Sequence, residues 1–269
     1  MKKYLNPRNL PILLPFAAAF GLLLRLWTMG GGPNSEGLYA PQPAAWVLLW
    51  IVTIATVVCI IAMSRPLKKP GRYADNFPKS ILGAAGCAAA AIGMGISALP
   101  DLTNSTDLLA TATGFMGALS AVSLLLTGWS RFQGVKPSFV LHVVPCLGMA
   151  LRIFDRCKYW SNETQTGVFL FQFLASACVM LAMYQMCCFD VNLGNRKSSL
   201  LWSLSGTYFC VLALPMGEET LFYAGMALWL ITNLCSVRPL RTPKPEAAAP
   251  VQEETPAAPA APAEQSEQE

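Results

Sequence analysis

Eight apolar stretches, each long enough to cross a lipid bilayer, occupy most of the sequence between Leu10 and Val237. A helix needs about 20 mostly apolar residues to span the hydrocarbon core, where only helices and closed barrels satisfy their backbone. The stretches lack the period-two alternation of barrel strands, which indicates helices. The predicted spans cover residues 10–29, 43–63, 81–99, 108–129, 139–154, 166–188, 200–216 and 220–236. The sequence therefore predicts an all-α integral membrane protein, a polytopic bundle of about eight transmembrane helices within residues 1–242.

Composition agrees with this class. Hydrophobic residues make up 54% of the 269 residues and charged residues only 13%. A soluble domain has about 25% charged residues. The predicted surroundings are therefore a lipid bilayer. The net charge of +4 is explained by loops that face the cytoplasm, so we predict no nucleic-acid partner.

The cations fix a predicted orientation. If the N-terminus is inside, 15 of the 19 lysines and arginines fall in segments on the inner side. Cationic loops are retained on the cytoplasmic side, so both termini are predicted to be cytoplasmic. Compact loops and a small chain favour the bacterial cytoplasmic membrane, although the sequons at Asn104 and Asn162 leave a eukaryotic secretory setting open.

The two ends of the chain carry separate predictions. Lys2 and Lys3 precede an apolar run, so a cleaved signal peptide, which would leave seven helices, is an alternative. Residues 243–269 contain six prolines, six glutamates and no aromatic residue. Such a segment buries too little apolar surface to fold, which predicts a disordered cytoplasmic tail.

Small residues predict how two of the spans pack. At 100° per residue the small residues of the third span share one face, and those of the fourth span match them. Small faces let transmembrane backbones approach closely, so we expect a tight hairpin, with a homodimer seam as the alternative. The residues concerned are Gly83, Gly86, Ala90, Gly93, Gly114 and Gly117.

The fifth span is the richest in polar groups. It carries His142, Arg152, Arg156 and Trp160 on one stripe, together with Pro145, which removes a backbone hydrogen bond and predicts a kink. Arg25 of the first span lies at a similar predicted depth. The arginines either clamp an anionic ligand or pair with acids of the outer side, and the alternative is that they snorkel to the interface. The acids in question are Glu36, Asp155, Glu163, Glu218 and Glu219.

Several kinds of chemistry have no matching pattern. No predicted span carries a carboxylate in its middle, which argues against a proton-driven carrier. No phosphate-binding loop, zinc-protease helix or nucleophile elbow occurs, so we predict no catalytic residue or cofactor. A membrane-embedded enzyme is left as a third alternative, which would need a catalytic site assembled from several spans. His142 is the only histidine, which leaves no metal site of the usual type, and a lone histidine is more often hydrogen-bonded structure.

Two functions remain open from the sequence. The first is a protein that binds or passes a small anionic solute through an outward-facing pocket formed by Arg25, Arg152, Arg156, Trp160 and His142. The second is a non-catalytic scaffold or sensor. Its basic inner loop, residues 65–79, and its acidic tail would then bind cytoplasmic proteins or anionic lipid.

Overall fold

The chain folds into helices joined by short connectors. A computed structural model describes residues 10–30, 43–64, 73–103, 107–160, 166–216 and 219–237, and no strand occurs in these ranges. The helices are α1 (Leu10–Met29), α2 (Pro43–Ser64), the one-turn α3 (Tyr73–Asn76), α4 (Ile81–Thr103), α5 (Leu108–Gln133), α6 (Val140–Trp160), α7 (Thr166–Asp190), α8 (Arg196–Ala213) with a 3₁₀ turn at Leu214–Met216, and α9 (Thr220–Ser236). The all-helical prediction is therefore confirmed.

Four segments of the described chain are long and apolar enough to cross a membrane. They are Pro43–Ala62, Ile81–Thr103, Leu108–Gln133 and Phe169–Asp190, with 20, 23, 26 and 22 residues. The helical segments Leu14–Met29 and Thr220–Ser236 are apolar but shorter. Length and composition therefore support membrane insertion for at least four helices of the bundle.

Helix α4 lies between α5 and α9, and the small residues explain both contacts. A Cβ atom added to Gly93 would lie 2.7 Å from the Leu221 carbonyl oxygen of α9, and one added to Gly225 would lie 2.6 Å from the Ala89 carbonyl oxygen of α4. The two backbones are thus close enough that only glycine fits at these positions. Ala90 is fully buried in the same interface.

The small residues predicted to share one hairpin face lie against two different helices. Gly86 was expected to face the following helix, but a Cβ there would overlap Thr232 of α9. Gly83 lies between the two neighbours, close to Arg131 of α5 and to Ser236 of α9. The glycines of α5 do meet α4, yet they meet another of its faces: Gly114 lies against Leu102, and Gly117 against Ala98. The physical reason is that α4 has small residues on two sides, so it packs tightly against two neighbours at once. The sequence pattern alone does not say which neighbour takes which face.

The remaining helices complete the bundle around α7 and α8. Tyr208 of α8 is fully buried and its hydroxyl lies 3.1 Å from the Thr53 hydroxyl of α2. Gly21 of α1 packs against the same tyrosine. Gly206 of α8 accommodates Leu230 of α9, so the last two long helices are direct neighbours.

Several helices extend past the apolar stretches that predict them. Helix α4 continues from the predicted end at residue 99 to Thr103, and α6 continues from residue 154 to Trp160. Helix α8 begins at Arg196, where the Asn195 side chain accepts a hydrogen bond from the Lys197 amide over 3.1 Å. These polar turns carry Asp101 and Arg156, and they belong to the helices although hydropathy excludes them.

Some predictions fall on residues that the structure does not describe. These are the disordered tail at 243–269, both sequons, most of the basic inner loop, the N-terminal lysines and three of the candidate acids, Glu36, Glu163 and Glu218. The Pro145 position is described, and α6 runs through it as one helix.

Candidate functional site

Two arginines of α6 converge on one carboxylate. Arg152 and Arg156 are four residues apart, so both side chains project from the same face of the helix. Arg152 Nη2 lies 2.9 Å from Glu219 Oε1, and Arg156 Nε lies 2.8 Å from the same oxygen. Asp101 of α4 adds a longer contact, because its Oδ2 is 3.5 Å from Arg156 Nη2. We call these four residues the outer cluster.

The outer cluster is enclosed by the packing of α6, α9 and α4. The Arg152 side chain is only 4% exposed, and its guanidinium carbon lies 4.2 Å above the centre of the Phe222 ring. A cation over an aromatic face is stabilised without a hydrogen bond. The Glu219 side chain is 13% exposed, so water has little access to the ion pair. Electrostatic contacts at such a site are stronger than those on an open surface.

The arginine donors are incompletely used. Arg152 Nε is buried and has no hydrogen-bond partner among the described residues. The Nη2 contact with Glu219 has ion-pair distance, yet it is not aligned as a hydrogen bond. Guanidinium groups bind carboxylates best through two parallel N–H···O bonds. The cluster therefore retains donors that another oxyanion could use.

The electrostatics of the outer cluster are balanced. Burial by itself raises the pKa of Glu219, but the charges of Arg152 and Arg156 outweigh it and hold that pKa below its ordinary value. The buried Asp155 contributes a further carboxylate that interacts with both arginines. Two guanidinium groups are thus surrounded by three carboxylates, of which Glu219 is ionised near neutral pH.

Arg25 lies in different surroundings from the α6 arginines. Its side chain is 2% exposed, and its guanidinium carbon is 4.8 Å from the centre of the Phe171 ring of α7. Phe171 in turn packs against Trp46 and Trp50 of α2. Arg25 therefore sits beside an aromatic cluster, whereas Arg152 and Arg156 share a carboxylate. The Trp160 side chain falls outside the described part of the structure.

His142 lies near the start of α6, at the opposite end of that helix from Arg156. The rise of about 1.5 Å per residue separates the two positions by about 20 Å. Its Nδ1 lies 2.6 Å from Asp190 Oδ2, and both side chains are buried. Lys136 Nζ donates a hydrogen bond of 2.8 Å to the Asp190 carbonyl oxygen. The structure thus separates His142 from the arginines with which the sequence grouped it.

A second group of polar side chains accompanies this histidine pair. Arg131, in the last turn of α5, donates from Nε to the Tyr73 hydroxyl over 3.2 Å and from Nη1 to Asn233 Oδ1 of α9. The Phe77 ring covers its guanidinium at 4.8 Å. We call Arg131, Tyr73 and Asn233 the inner cluster.

Sequence reasoning identified Glu219 as a candidate partner but missed the inner cluster and Asp190. Arg131 was counted only as a cation of an inner loop. The available signal was weak: Asp190 and Asn233 are single polar residues at the ends of otherwise apolar stretches. Such residues are expensive at a membrane boundary, and they are often functional.

Comparisons with known proteins do not identify a relative. No protein-family model matches the sequence, and neither the curated proteins nor the solved structures contain a significant match. The functional interpretation therefore depends on the geometry of the two clusters.

Proposed function

We propose that this chain is a multi-pass protein of the bacterial cytoplasmic membrane in which all eight long helices cross the bilayer. Large apolar side chains cover its outside, including Phe16, which is 72% exposed, and the exposed Ile54 and Phe115. The interior instead holds polar groups such as Gln172 and Ser205. Soluble proteins rarely present such extended apolar surfaces to water, so this distribution favours lipid surroundings.

In the orientation proposed from the cations, the two clusters lie on opposite sides of the membrane. Lys136 and Arg196 lie with the inner cluster, while Asp101 and Glu219 lie with the outer cluster. The positive-inside rule then assigns the inner cluster to the cytoplasm. Both termini are cytoplasmic in this arrangement.

The proposed activity is the binding or passage of a small anionic solute at the outer cluster. The observation that carries this proposal is the pair of guanidinium groups on one carboxylate, with buried N–H donors left over. Glu219 occupies the position that a ligand carboxylate would take. A solute carboxylate would then exchange with Glu219 and form the bidentate contacts that Glu219 does not make.

Exchange of Glu219 suggests how such a site opens. Glu219 immediately precedes α9, and it connects that helix to α6 through the arginines. When a solute replaces this carboxylate, the link between the two helices is released. Carriers depend on such changes, in which one bundle of helices moves against another around a bound solute.

The test is ligand-induced stabilisation of the full chain in detergent. The protein is tested with a panel of anions that contains acetate, succinate and other small carboxylates. We expect at least one of them to raise the thermal unfolding midpoint above its value in chloride at equal ionic strength. Arg152→Gln removes one guanidinium and should remove the part of this rise that the outer cluster contributes. Arg152→Lys keeps the charge but lacks the planar donors, so its response should be intermediate.

Lys158→Gln is the matched control, because Lys158 is a cation of the same helix end that pairs with Asp107 outside the outer cluster. Its response should equal that of the unchanged protein. If no anion of the panel stabilises the wild-type protein, the arginines have a structural role only. An anion response that Arg152→Gln leaves intact would place the site elsewhere.

A further inference from the structure

Arg131 is a buried cation that is held by neutral groups. The residue is 4% exposed, and its direct contacts are the Tyr73 hydroxyl, the Asn233 amide oxygen and the face of Phe77. Throughout the described ranges, no carboxylate lies within ion-pair distance of its guanidinium. Burying a charge is costly unless an opposite charge or a full set of hydrogen bonds compensates it.

One donor of this guanidinium is unused. Arg131 Nη2 is buried and has no hydrogen-bond partner among the described residues. The carboxyl end of the α5 helix places partial negative charge near Arg131, yet that charge does not occupy the Nη2 donor. The neighbouring carboxylate, Asp190, is bonded through Oδ2 to His142, and its buried Oδ1 has no hydrogen-bond partner among the described residues. Compensation of Arg131 is therefore incomplete within the described chain.

The surroundings of Arg131 favour a negative ligand. The first turn of α4 adjoins the guanidinium, since a Cβ added to Gly83 would lie 3.0 Å from Arg131 Nη1. Helix N-termini carry partial positive charge and bind anions. Lys136 adds a further cation nearby, because its Nζ donates to the Asp190 carbonyl oxygen.

A small pocket of about 10 Å³, enough for one water molecule, adjoins Asn233. It lies between α7, α8 and α9, and Asn233 forms part of its wall. Asn233 therefore faces the pocket and also holds Arg131, because its Oδ1 accepts from Arg131 Nη1. Ser199 and Ser203 of α8 also line the pocket, and most of its remaining lining residues are apolar.

We propose that Arg131 is the centre of a second anion site, which takes a small oxyanion, a carboxylate or a phosphate, at its buried Nη2 donor. In the present structure the Asn233 amide oxygen occupies one of the positions of a ligand oxygen. An entering oxyanion would take the place of that oxygen and would also use the free Nη2 donor. The site is independent of the outer cluster and lies at the other end of the bundle.

The experiment measures thermal unfolding of the full chain in detergent while inorganic phosphate or acetate is titrated against chloride at equal ionic strength. Arg131→Met should weaken the oxyanion response at this site by at least about tenfold, because the guanidinium supplies charge-assisted bonds. Lys197→Gln, at a neighbouring inner cation, should leave the response unchanged. Arg152→Gln should also leave the Arg131 component intact, so failure of this site and failure of the outer site are distinguishable.

A second variant covers the case in which Arg131→Met does not fold. Asn233→Asp is nearly isosteric and places a permanent carboxylate on Arg131. We expect this protein to unfold at a higher temperature than the wild type without oxyanion, and to show no further rise at this site when oxyanion is added. An oxyanion response that neither the Arg131 nor the Asn233 change reduces would overturn the proposal, as would a wild type that does not respond.

Two sources of the ligand are separated in the same assay. A response to inorganic phosphate and acetate identifies a free solute. A response confined to short-chain phosphatidylglycerol, and absent with phosphatidylcholine of equal chain length, identifies a lipid headgroup phosphate. Either pattern supports the oxyanion site, provided that Arg131→Met removes it.

Discussion

Glu219 is the residue on which the outer cluster depends. It is the carboxylate that both Arg152 and Arg156 approach, at 2.9 and 2.8 Å. Removing one partner of a buried ion pair typically costs about 3 to 5 kcal/mol, because the remaining charge is left uncompensated. Here two cations would be left together on one face of α6. A change at Glu219 therefore has a larger effect than a change at an exposed acid.

The pKa of Glu219 predicts an acid-sensitive stability. Because the pKa is lowered in the folded protein, the stabilisation is fully present above the ordinary glutamate pKa of about 4.3 and is lost as the pH falls through the lowered value. Glu219→Gln should therefore lower the free energy of unfolding by about 3 kcal/mol at pH 7 and flatten its decline in acid. Unfolding midpoints measured between pH 3 and pH 7 in detergent check this result.

The control for this prediction is Asp107→Asn. The pKa of Asp107 is also lowered, chiefly by its hydrogen bond to Lys158, but the side chain is exposed. Exposed ion pairs contribute little because water screens them, so the midpoint should change only slightly. Equal losses in the two variants would contradict the importance given to the buried cluster.

From the sequence, we could predict which side chains lie together only when they are on neighbouring turns of one helix. Arg152 and Arg156 are one turn apart, so their common face was predictable. The pair of His142 with Asp190 joins positions that are 48 residues apart, on α6 and α7. Whether such residues meet depends on how each helix is rotated about its axis, and one sequence does not determine that rotation.

At the scale of elements, α9 connects the two clusters. Glu219 immediately precedes it and binds arginines of α6, while Asn233 lies in its last turn and binds Arg131 of α5. Between these ends, α9 packs against α4 through Gly225 and Gly93. A small shift of α9 along α4 would therefore alter the oxygen partners of both clusters together.

Close packing of α4 and α9 makes a prediction about glycine substitutions. A Cβ at Gly225 would lie 2.6 Å from the Ala89 carbonyl oxygen, which is backbone and has little freedom to move. Gly225→Ala should therefore destabilise the protein by about 1 to 3 kcal/mol and lower its unfolding midpoint. At Gly95 a Cβ would make an ordinary 3.7 Å contact with Ala121, so Gly95→Ala is the matched control and should be tolerated. Equal behaviour of the two variants would contradict the described packing.

Helix positions were largely predictable because apolar runs of this length permit few alternatives. A helix occupies each of the eight predicted stretches. The differences lie at the ends, where α4 continues past Pro100 and α6 past Phe154 in turns that are no longer apolar. Hydropathy measures preference for lipid, whereas a helix ends where its backbone hydrogen bonds end, so the two boundaries differ.

At the scale of the whole molecule, the proposed topology places the clusters on opposite sides of the bilayer. Two variants, Asp107→Cys and Lys79→Cys, test this arrangement. Each is prepared as the full chain in oriented membrane vesicles, and its labelling is compared with that of the parent protein. Beyond the labelling of the nine cysteines of the parent protein, a membrane-impermeant maleimide should label Asp107→Cys only from the outside and Lys79→Cys only from the inside. Labelling of both positions from the same side would contradict the eight-span arrangement.

The most direct test of the proposed function is the response of Glu219→Gln to anions. If Glu219 occupies the place of a solute carboxylate, removing its charge removes a competitor. Acetate or succinate should then raise the unfolding midpoint of Glu219→Gln more than that of the wild type, and should restore part of the lost stability. If Glu219→Gln responds no more strongly than the wild type, the arginine pair is a structural contact and not an anion site.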